Sequence, residues 1–193
     1  MYYSNIIMCF LTISLLLNLD NKCNYIVTGS QKWSTTDIRA KVFNNGDTIL
    51  YADSDSLWQR ANLKKLPAWC YSKDGRRVLY NSYVVSDNRS ICPEGYRIPT
   101  NRDWALLLNE NGGPNLAPSR FLNTGRDSCS EFSIYPTDSR SVNGSYEFEG
   151  CAVFWSSTMV NSRYSYIFMA EDLTLTSQTP DGTGCAIRLI KRN

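Results

Sequence analysis

The chain has 193 residues, 42% hydrophobic and 20% charged, which is ordinary globular usage for about one domain and argues against disorder or coiled coil. Twenty basic and eighteen acidic side chains leave a formal charge of +2, too balanced for a dedicated nucleic-acid binder. There is no histidine, which excludes mechanisms built on an imidazole base and most catalytic zinc sites.

Ile6 to Leu17 form an uncharged apolar run of twelve residues. As a helix it would extend about 18 Å, against a bilayer core of about 30 Å. The run is too short to span a membrane and matches the apolar region of a secretory signal, so residues 1–23 read as a signal segment. No Lys or Arg precedes it, and no small-residue cleavage site follows. Cys23 stands where a lipoprotein carries its acylated cysteine, but Asp20-Asn21-Lys22 is not a lipobox. The expectation is a secreted or cell-surface protein with no membrane span in the mature chain; an outer-membrane lipoprotein through Cys23 is the lesser reading. Cys9 leaves with the signal, and the six remaining cysteines allow fifteen pairings. With no Cys-x-x-Cys pair and no histidine, they suggest disulfides rather than zinc.

Residues 24–36 are polar without clear periodicity and read as a linker or leading strand, with a single α+β domain over residues 37–193. Apolar stretches around Asn44-Asn45-Gly46-Asp47 suggest a β-hairpin. The spacing around Trp58 and Leu63 resolves no element. Thr100-Asn101-Arg102-Asp103 has the form of a capping box, with Trp104, Leu107 and Leu108 on one helical face and a stop at Asn111-Gly112-Gly113-Pro114. A second helix is expected around Ala117 to Leu122. The carboxyl third reads as β: Ala152 to Trp155, the alternating Tyr164, Tyr166 and Phe168, then Leu173 and Leu175, and finally Ala186 to Ile190.

Several segments in order carry a resemblance. They are Trp58 with Ala61-Asn62-Leu63-Lys64, Cys70-Tyr71 with Leu79-Tyr80, and Cys92-Pro93-Glu94-Gly95-Tyr96-Arg97-Ile98-Pro99-Thr100 with Asp103-Trp104 and Leu107. Phe132-Ser133, Pro136, Arg140 and Gly144 follow, then Phe154-Trp155-Ser156-Ser157 and Ile187-Arg188. Over about residues 42–191 the chain resembles the Fibrobacter succinogenes major paralogous domain, a family of secreted and surface bacterial proteins. The resemblance implies a C-type lectin-like fold: a twisted antiparallel sheet with one or two helices and long loops. It implies binding or adhesion and no reaction, by fold-level analogy alone. Family members often carry a second cysteine soon after Cys-Tyr and end in Val-Arg-Cys; here Ser72 to Arg77 has none, and Ile187-Arg188-Leu189 places its cysteine earlier, at Cys185. The pairing it suggests is Cys92 with Cys185 and Cys129 with Cys151.

Trp58, Trp69, Trp104 and Trp155 are sugar-stacking candidates but sit in apolar settings that favour core. Ser156 and Ser157 lack a base and are better placed to bond backbone groups. Asp53, Asp55, Glu171 and Asp172 lack the remaining ligands of a calcium loop, and the Glu-Pro-Asn and Trp-Asn-Asp motifs of calcium-dependent lectins are absent. No metal or other cofactor is expected. Asn88-Arg89-Ser90 and Asn143-Gly144-Ser145 match a glycosylation pattern that matters only in a eukaryotic secretory route. Recognition is assigned to the late connections, Met159 to Tyr164 and Thr176 to Thr183, with Asn161, Arg163, Tyr164, Gln178 and Asp181 as ligand-binding residues. The function expected is non-catalytic binding of a carbohydrate or surface protein, not nucleic acid. The alternatives are an architectural module of a surface appendage and a glycoside hydrolase with a carboxylate pair.

Overall fold

The structure, a computed structural model, describes residues 25–115, 121–122, 132 and 134–192. Its first strands, β1 (Tyr25–Thr28) and β2 (Gln31–Asp37), form a hairpin. β2 also pairs with the last strand, β11 (Arg188–Lys191), which in turn pairs with β6 (Tyr96–Arg97). Residues 25–36 are thus built into a four-stranded sheet of order β1-β2-β11-β6, not a linker, and the domain starts ahead of Asp37. The reason is local: Trp33 is fully buried, and the Ser34 hydroxyl accepts from the Leu189 amide at 3.0 Å. Neither feature has a strand-like sequence period.

The second sheet has the order β10-β9-β8-β7, from Leu173–Gln178, Arg163–Ala170, Tyr146–Val160 and Thr137–Arg140 respectively. A small third sheet joins β3 (Leu50–Tyr51), β4 (Ala68–Tyr71) and β5 (Val78–Tyr80). Among the described strand pairs only β3–β4 is parallel. Two buried clusters flank β8 and β9. Phe154, Ile167 and Met169 face one, while Val153 and Trp155 face the other with half-buried Tyr164, Tyr166 and Phe168 against it. The fold is α+β and mostly β. Trp58, Trp69, Trp104 and Trp155 are all core, at most 5% exposed.

Three helices are described. α1 (Asp55–Leu63) starts at Ser54, whose hydroxyl accepts from the Leu57 amide at 3.3 Å, and buries Trp58, Ala61 and Asn62. Its core face carries a polar Asn, which is why apolar spacing left it unresolved. α2 (Ser82–Val85) is a single turn. α3 (Asn101–Glu110) has the expected capping box: Asp103 N–H donates to Thr100 Oγ1 at 3.2 Å and Thr100 N–H to Asp103 Oδ2 at 2.7 Å. Trp104, Leu107 and Leu108 form its buried face. The Asn44–Asp47 turn closes with one bridge, Val42 to Thr48, and no extended hairpin. Most of the helix expected around Ala117 to Leu122 lies outside the described residues. Among those described, no helix is long and apolar enough to cross a membrane; residues 1–23 lie outside them.

Three arginines are buried in this scaffold: Arg140 at 0%, Arg188 at 2% and Arg77 at 3% exposure. Asp37 sits between two of them, accepting from Arg188 Nε and Arg77 Nε at 2.7 Å each. Burial by itself would raise the Asp37 carboxyl; the two guanidinium groups outweigh it and hold it down. Arg77 and Arg188 also lie over the Phe154 ring, with guanidinium carbons 4.3 and 5.8 Å from its centroid.

Asp103 couples α3 to β6 through a two-pronged bond from Arg97, at 2.6 and 2.9 Å. Burial raises its carboxyl, and Arg97 with Thr100 reverses this, bringing it down to about 2 from 3.8. A depressed carboxyl stabilises the fold fully above its unfolded value and loses that contribution as pH falls through the folded one. Stability measured by urea unfolding should therefore drop between about pH 4 and about pH 2, and Asp103→Asn should remove its own share of that slope, leaving the share that Asp37 carries, while costing about 1–2 kcal/mol at neutral pH.

Candidate functional site

A cavity of about 370 Å³ opens beside the β7–β8 connection. Val153 and Cys185 lie beneath it, both essentially without solvent contact. Its walls carry the hydroxyls of Ser139, Ser141, Thr179 and Thr183, the amides of Asn143 and Gln178, and one carboxylate, Glu147. Tyr166 and Phe148 add aromatic faces. Small-molecule sites of this volume combine an apolar base with a few fixed polar groups.

The polar wall is built by local bonding. The Asn143 carboxamide oxygen accepts from the Ser145 amide at 3.0 Å and the Ser145 hydroxyl at 2.7 Å, and from the Ser141 hydroxyl. Asn and Ser here take the backbone around a turn by side-chain bonding. Across the cavity the Thr179 and Thr183 hydroxyls bond each other at 2.6 Å. Phe148 is held at φ +58°, an uncommon conformation for a bulky residue, and its ring meets Phe168 edge-on at 5.2 Å. Such strain persists only where surrounding contacts enforce it.

Helix α1 clamps both walls. Gln59 Nε2 donates to the Asn143 carbonyl at 2.6 Å and Asn62 Nδ2 to the Val142 carbonyl at 3.2 Å. Trp58 Nε1 and Asn62 Nδ2 both donate to the Gly182 carbonyl, at 3.1 and 3.0 Å. Buried Arg140 fastens the same region: Nε donates to the Gly144 carbonyl at 2.9 Å, Nη1 to the Ala52 carbonyl at 2.8 Å and Nη2 to Asp55 at 2.9 Å. A second depression of about 330 Å³ lies on the other side of Val142 and Asn143, lined also by Gln59, Asn62, Leu63 and Asp181.

The residues expected to bind ligand do not form one group. Gln178 lines the first cavity and Asp181 the second. Tyr164 is half-buried; burial first, then the Asp181 carboxylate, raises its phenol, so these two residues sense each other. Asn161 and Arg163 stand exposed at a hairpin tip and line neither cavity. That connection is a two-residue turn rather than a long loop: Asn161 and Ser162 have φ of +51° and +63°, and Val160 pairs with Arg163. Thr176 to Gln178 likewise belong to β10, so the irregular part starts at Thr179. The wall from Ser139 to Phe148 was missed by sequence reading. Its one signal, Asn143-Gly144-Ser145, also fits a glycosylation pattern and therefore did not announce a turn.

The expected sulfur cross-links are corrected. Cys92 and Cys185 are both free thiols. Cys185 is locked in the core by mutual backbone bonds with Tyr80, at 2.9 and 3.1 Å, whereas Cys92 lies half-buried in the Ser90–Tyr96 loop. Cys151 is also a free thiol, and Cys129, its expected partner, lies outside the described residues. Burial pushes Cys185 up, and Cys70 up to about 11 against the lowering effect of the Arg140 guanidinium. Ser157 behaves as read, its hydroxyl donating to the Ile98 and Pro99 carbonyls at 3.1 and 3.2 Å. Asp55 serves Arg140, while Glu171 and Asp172 form the β9–β10 turn.

Two predictions follow from this construction. Gly144 has φ +93°, and a Cβ there would fall 2.6 Å from the Asp55 Cα. Gly46 has a similar φ, +92°, with nothing within 4 Å. Gly46→Ala should cost about 1 kcal/mol by urea unfolding, the price of the backbone conformation alone, and Gly144→Ala at least about 2 kcal/mol more. In native protein without reductant, site-resolved alkylation should modify Cys92 and Cys151 well before Cys70 and Cys185, which should react only after unfolding.

Comparison with curated proteins and with solved structures gives no match. A family model described as the Fibrobacter succinogenes major domain matches residues 26–191, beginning inside β1 and ending at the last residue of β11, and the chain belongs to that family.

Proposed function

We propose that this domain is a non-catalytic carbohydrate-binding module acting outside the cytosol, and that the cavity between Ser141–Phe148 and Gln178–Thr183 is its ligand site. The observation that carries the reading is the composition of that cavity. Hydroxyls and the Asn143 carboxamide, fixed by mutual bonding, and the Gln178 carboxamide supply both donors and acceptors, as sugar hydroxyls require, and Tyr166 and Phe148 offer faces for the apolar side of a sugar ring. One carboxylate, Glu147, lines it, which does not supply the pair that glycoside hydrolysis uses. A C-type lectin-like arrangement is the finer fold reading, supported by an antiparallel sheet with helices on a mostly β scaffold. Export rests on the apolar run at residues 6–17 and on the family resemblance, no longer on sulfur chemistry.

A glycan array probed with the protein tests this. Saturable binding that survives chelator is expected, weakened about tenfold or more by Tyr166→Ala and by Gln178→Ala, about 1.4 kcal/mol each. Asn161→Ala, at the hairpin tip, should leave it unchanged. Loss in the tip variant with none in the cavity variants would overturn the assignment. An architectural role in a surface appendage is the second reading. It is favoured by Leu173 and Leu175, 39% and 50% exposed on edge strand β10. Self-association in the absence of any glycan binding would select it.

A further inference from the structure

Tyr51 on β3 stands opposite Trp69 on β4, and Tyr71 follows Trp69 by two residues, so the three rings share one face of the small sheet. Trp69 is buried, and its Nε1 donates to the Ile49 carbonyl at 3.2 Å. Tyr51 lies against it, with ring centroids 4.4 Å apart and planes 30° from parallel, and meets Tyr71 edge-on at 6.2 Å. One face of the Tyr51 ring is thus packed, and its 44% exposure belongs to the opposite face and the rim. Two exposed cations border these rings, Arg39 and Lys41. Lys41 Nζ donates to the Tyr71 hydroxyl at 3.1 Å and lies 4.9 Å from the Trp69 centroid. The Arg39 guanidinium carbon lies 5.9 Å from the Tyr71 centroid, and Nη1 donates to the Arg76 carbonyl at 2.6 Å. The two cations converge on the Tyr71 phenol: the Lys41 bond first, and the Lys41 and Arg39 charges after it, hold it below its ordinary value against desolvation. Among the described residues neither cation has an ion-pair partner, because Asp37, Asp47 and Asp74 answer other arginines.

We propose that this aromatic shelf and its two unpaired cations bind an acidic saccharide, a sugar ring that carries a carboxylate or a sulfate ester. Such a ring has an apolar C–H face and an anion on the same unit. The C–H face lies on the open side of Tyr51, and the anion accepts from Lys41 and Arg39, whose remaining N–H donors are free to meet it. Charge complementarity selects the occupant: two cations without carboxylates stand beside one exposed ring. Two cations are too few for the phosphate track of a nucleic acid. β3 is two residues long, too short an edge to pair with an extended acidic peptide. Among the tryptophans weighed as stacking platforms, Trp69 thus takes part from beneath, holding Tyr51 flat rather than meeting the sugar itself. The shelf is a different site from the hydroxyl-lined cavity, and neither depends on the other.

The test is a titration of the full chain, followed by NMR, with trigalacturonate, with a sulfated galactose trimer and with neutral methyl-esterified trigalacturonate. One or both acidic sugars should shift the Trp69 indole N–H resonance, and the tighter one identifies the anion. The neutral ester should bind about tenfold more weakly or not at all, and acidic-sugar affinity should fall severalfold between about 50 and about 500 mM salt. Tyr51→Ala should weaken binding about fivefold, whereas Tyr51→Phe, which keeps the ring face, should preserve it. Should Tyr51→Ala fail to fold, the exposed cations decide: Lys41→Glu and Arg39→Glu should each weaken binding about tenfold or more and flatten the salt dependence. Tyr166→Ala and Gln178→Ala, in the hydroxyl-lined cavity, should leave it unchanged, so this proposal and the cavity assignment can fail separately. Equal binding of the neutral ester, tighter binding of oligothymidylate or polyglutamate, indifference to both charge reversals, loss in Tyr166→Ala, or no shift at Trp69 with either acidic sugar would each overturn the proposal.

Discussion

Burying a guanidinium is tolerable only if its donors are met where it lies, and this fold does that for Arg140 and Arg188 with backbone from several elements. Arg140 is fully buried and reaches the carbonyls of Ala52 and Gly144 and the Asp55 carboxylate. Arg188 reaches Asp37 and the Thr35 carbonyl. An unpaired ion in such a place would cost several kcal/mol, so the segments that supply these acceptors cannot drift without penalty. The two arginines act as pegs. One holds the start of α1 and the β7–β8 turn together; the other joins β2 to β11, sealing the amino-terminal hairpin into the domain.

The candidate site inherits its order from the first peg. Gly144 must be glycine because Asp55 packs against it, and Asp55 is there because it answers Arg140. Gly184 is pressed against Trp58 in the same way, since a Cβ would meet its ring at 2.8 Å. With both walls anchored to α1, Ser141, Asn143, Thr179 and Thr183 present hydroxyls and an amide from fixed positions. Such preorganisation reduces the entropy lost when a ligand is bound. Rigidity of this kind comes from side-chain to backbone bonds, and among the described residues it stands where the cysteine pattern had suggested sulfur cross-links.

Arg77 and Asp138 show a different imbalance. Arg77 gives Nε to Asp37, while its Nη1 and Nη2 have no hydrogen-bond partners among the described residues. Asp138 is close enough to feel Arg77 electrostatically yet does not bond it. Two opposite charges left incompletely paired inside one small domain are a local conflict in an otherwise well-matched core, and such conflicts gather where a fold serves something other than its own stability. The hydroxyl-lined cavity shows the same departure at Phe148, an aromatic residue in a left-handed conformation.

Periodic signals were legible along the chain. The α3 helix, its capping box and the β8–β10 strands follow from apolar spacing and short-range hydrogen-bond chemistry, both of which act between residues close in sequence. The burial of the tryptophans follows from their apolar settings. What spacing could not express was any partner far away in the chain. Helix α1 hid because Asn62, a polar residue, faces the core to bond the Gly182 carbonyl, 120 positions away. The β2 strand hid because its neighbour β11 lies at the other end of the sequence. The absence of histidine by itself excluded imidazole chemistry, and helix and strand spacing together pointed to an α+β fold. Which cysteines stay apart, which carboxylate is left without a donor, and which hydroxyls share a cavity were decided only by tertiary packing, because those properties belong to distances between segments and not to any one segment.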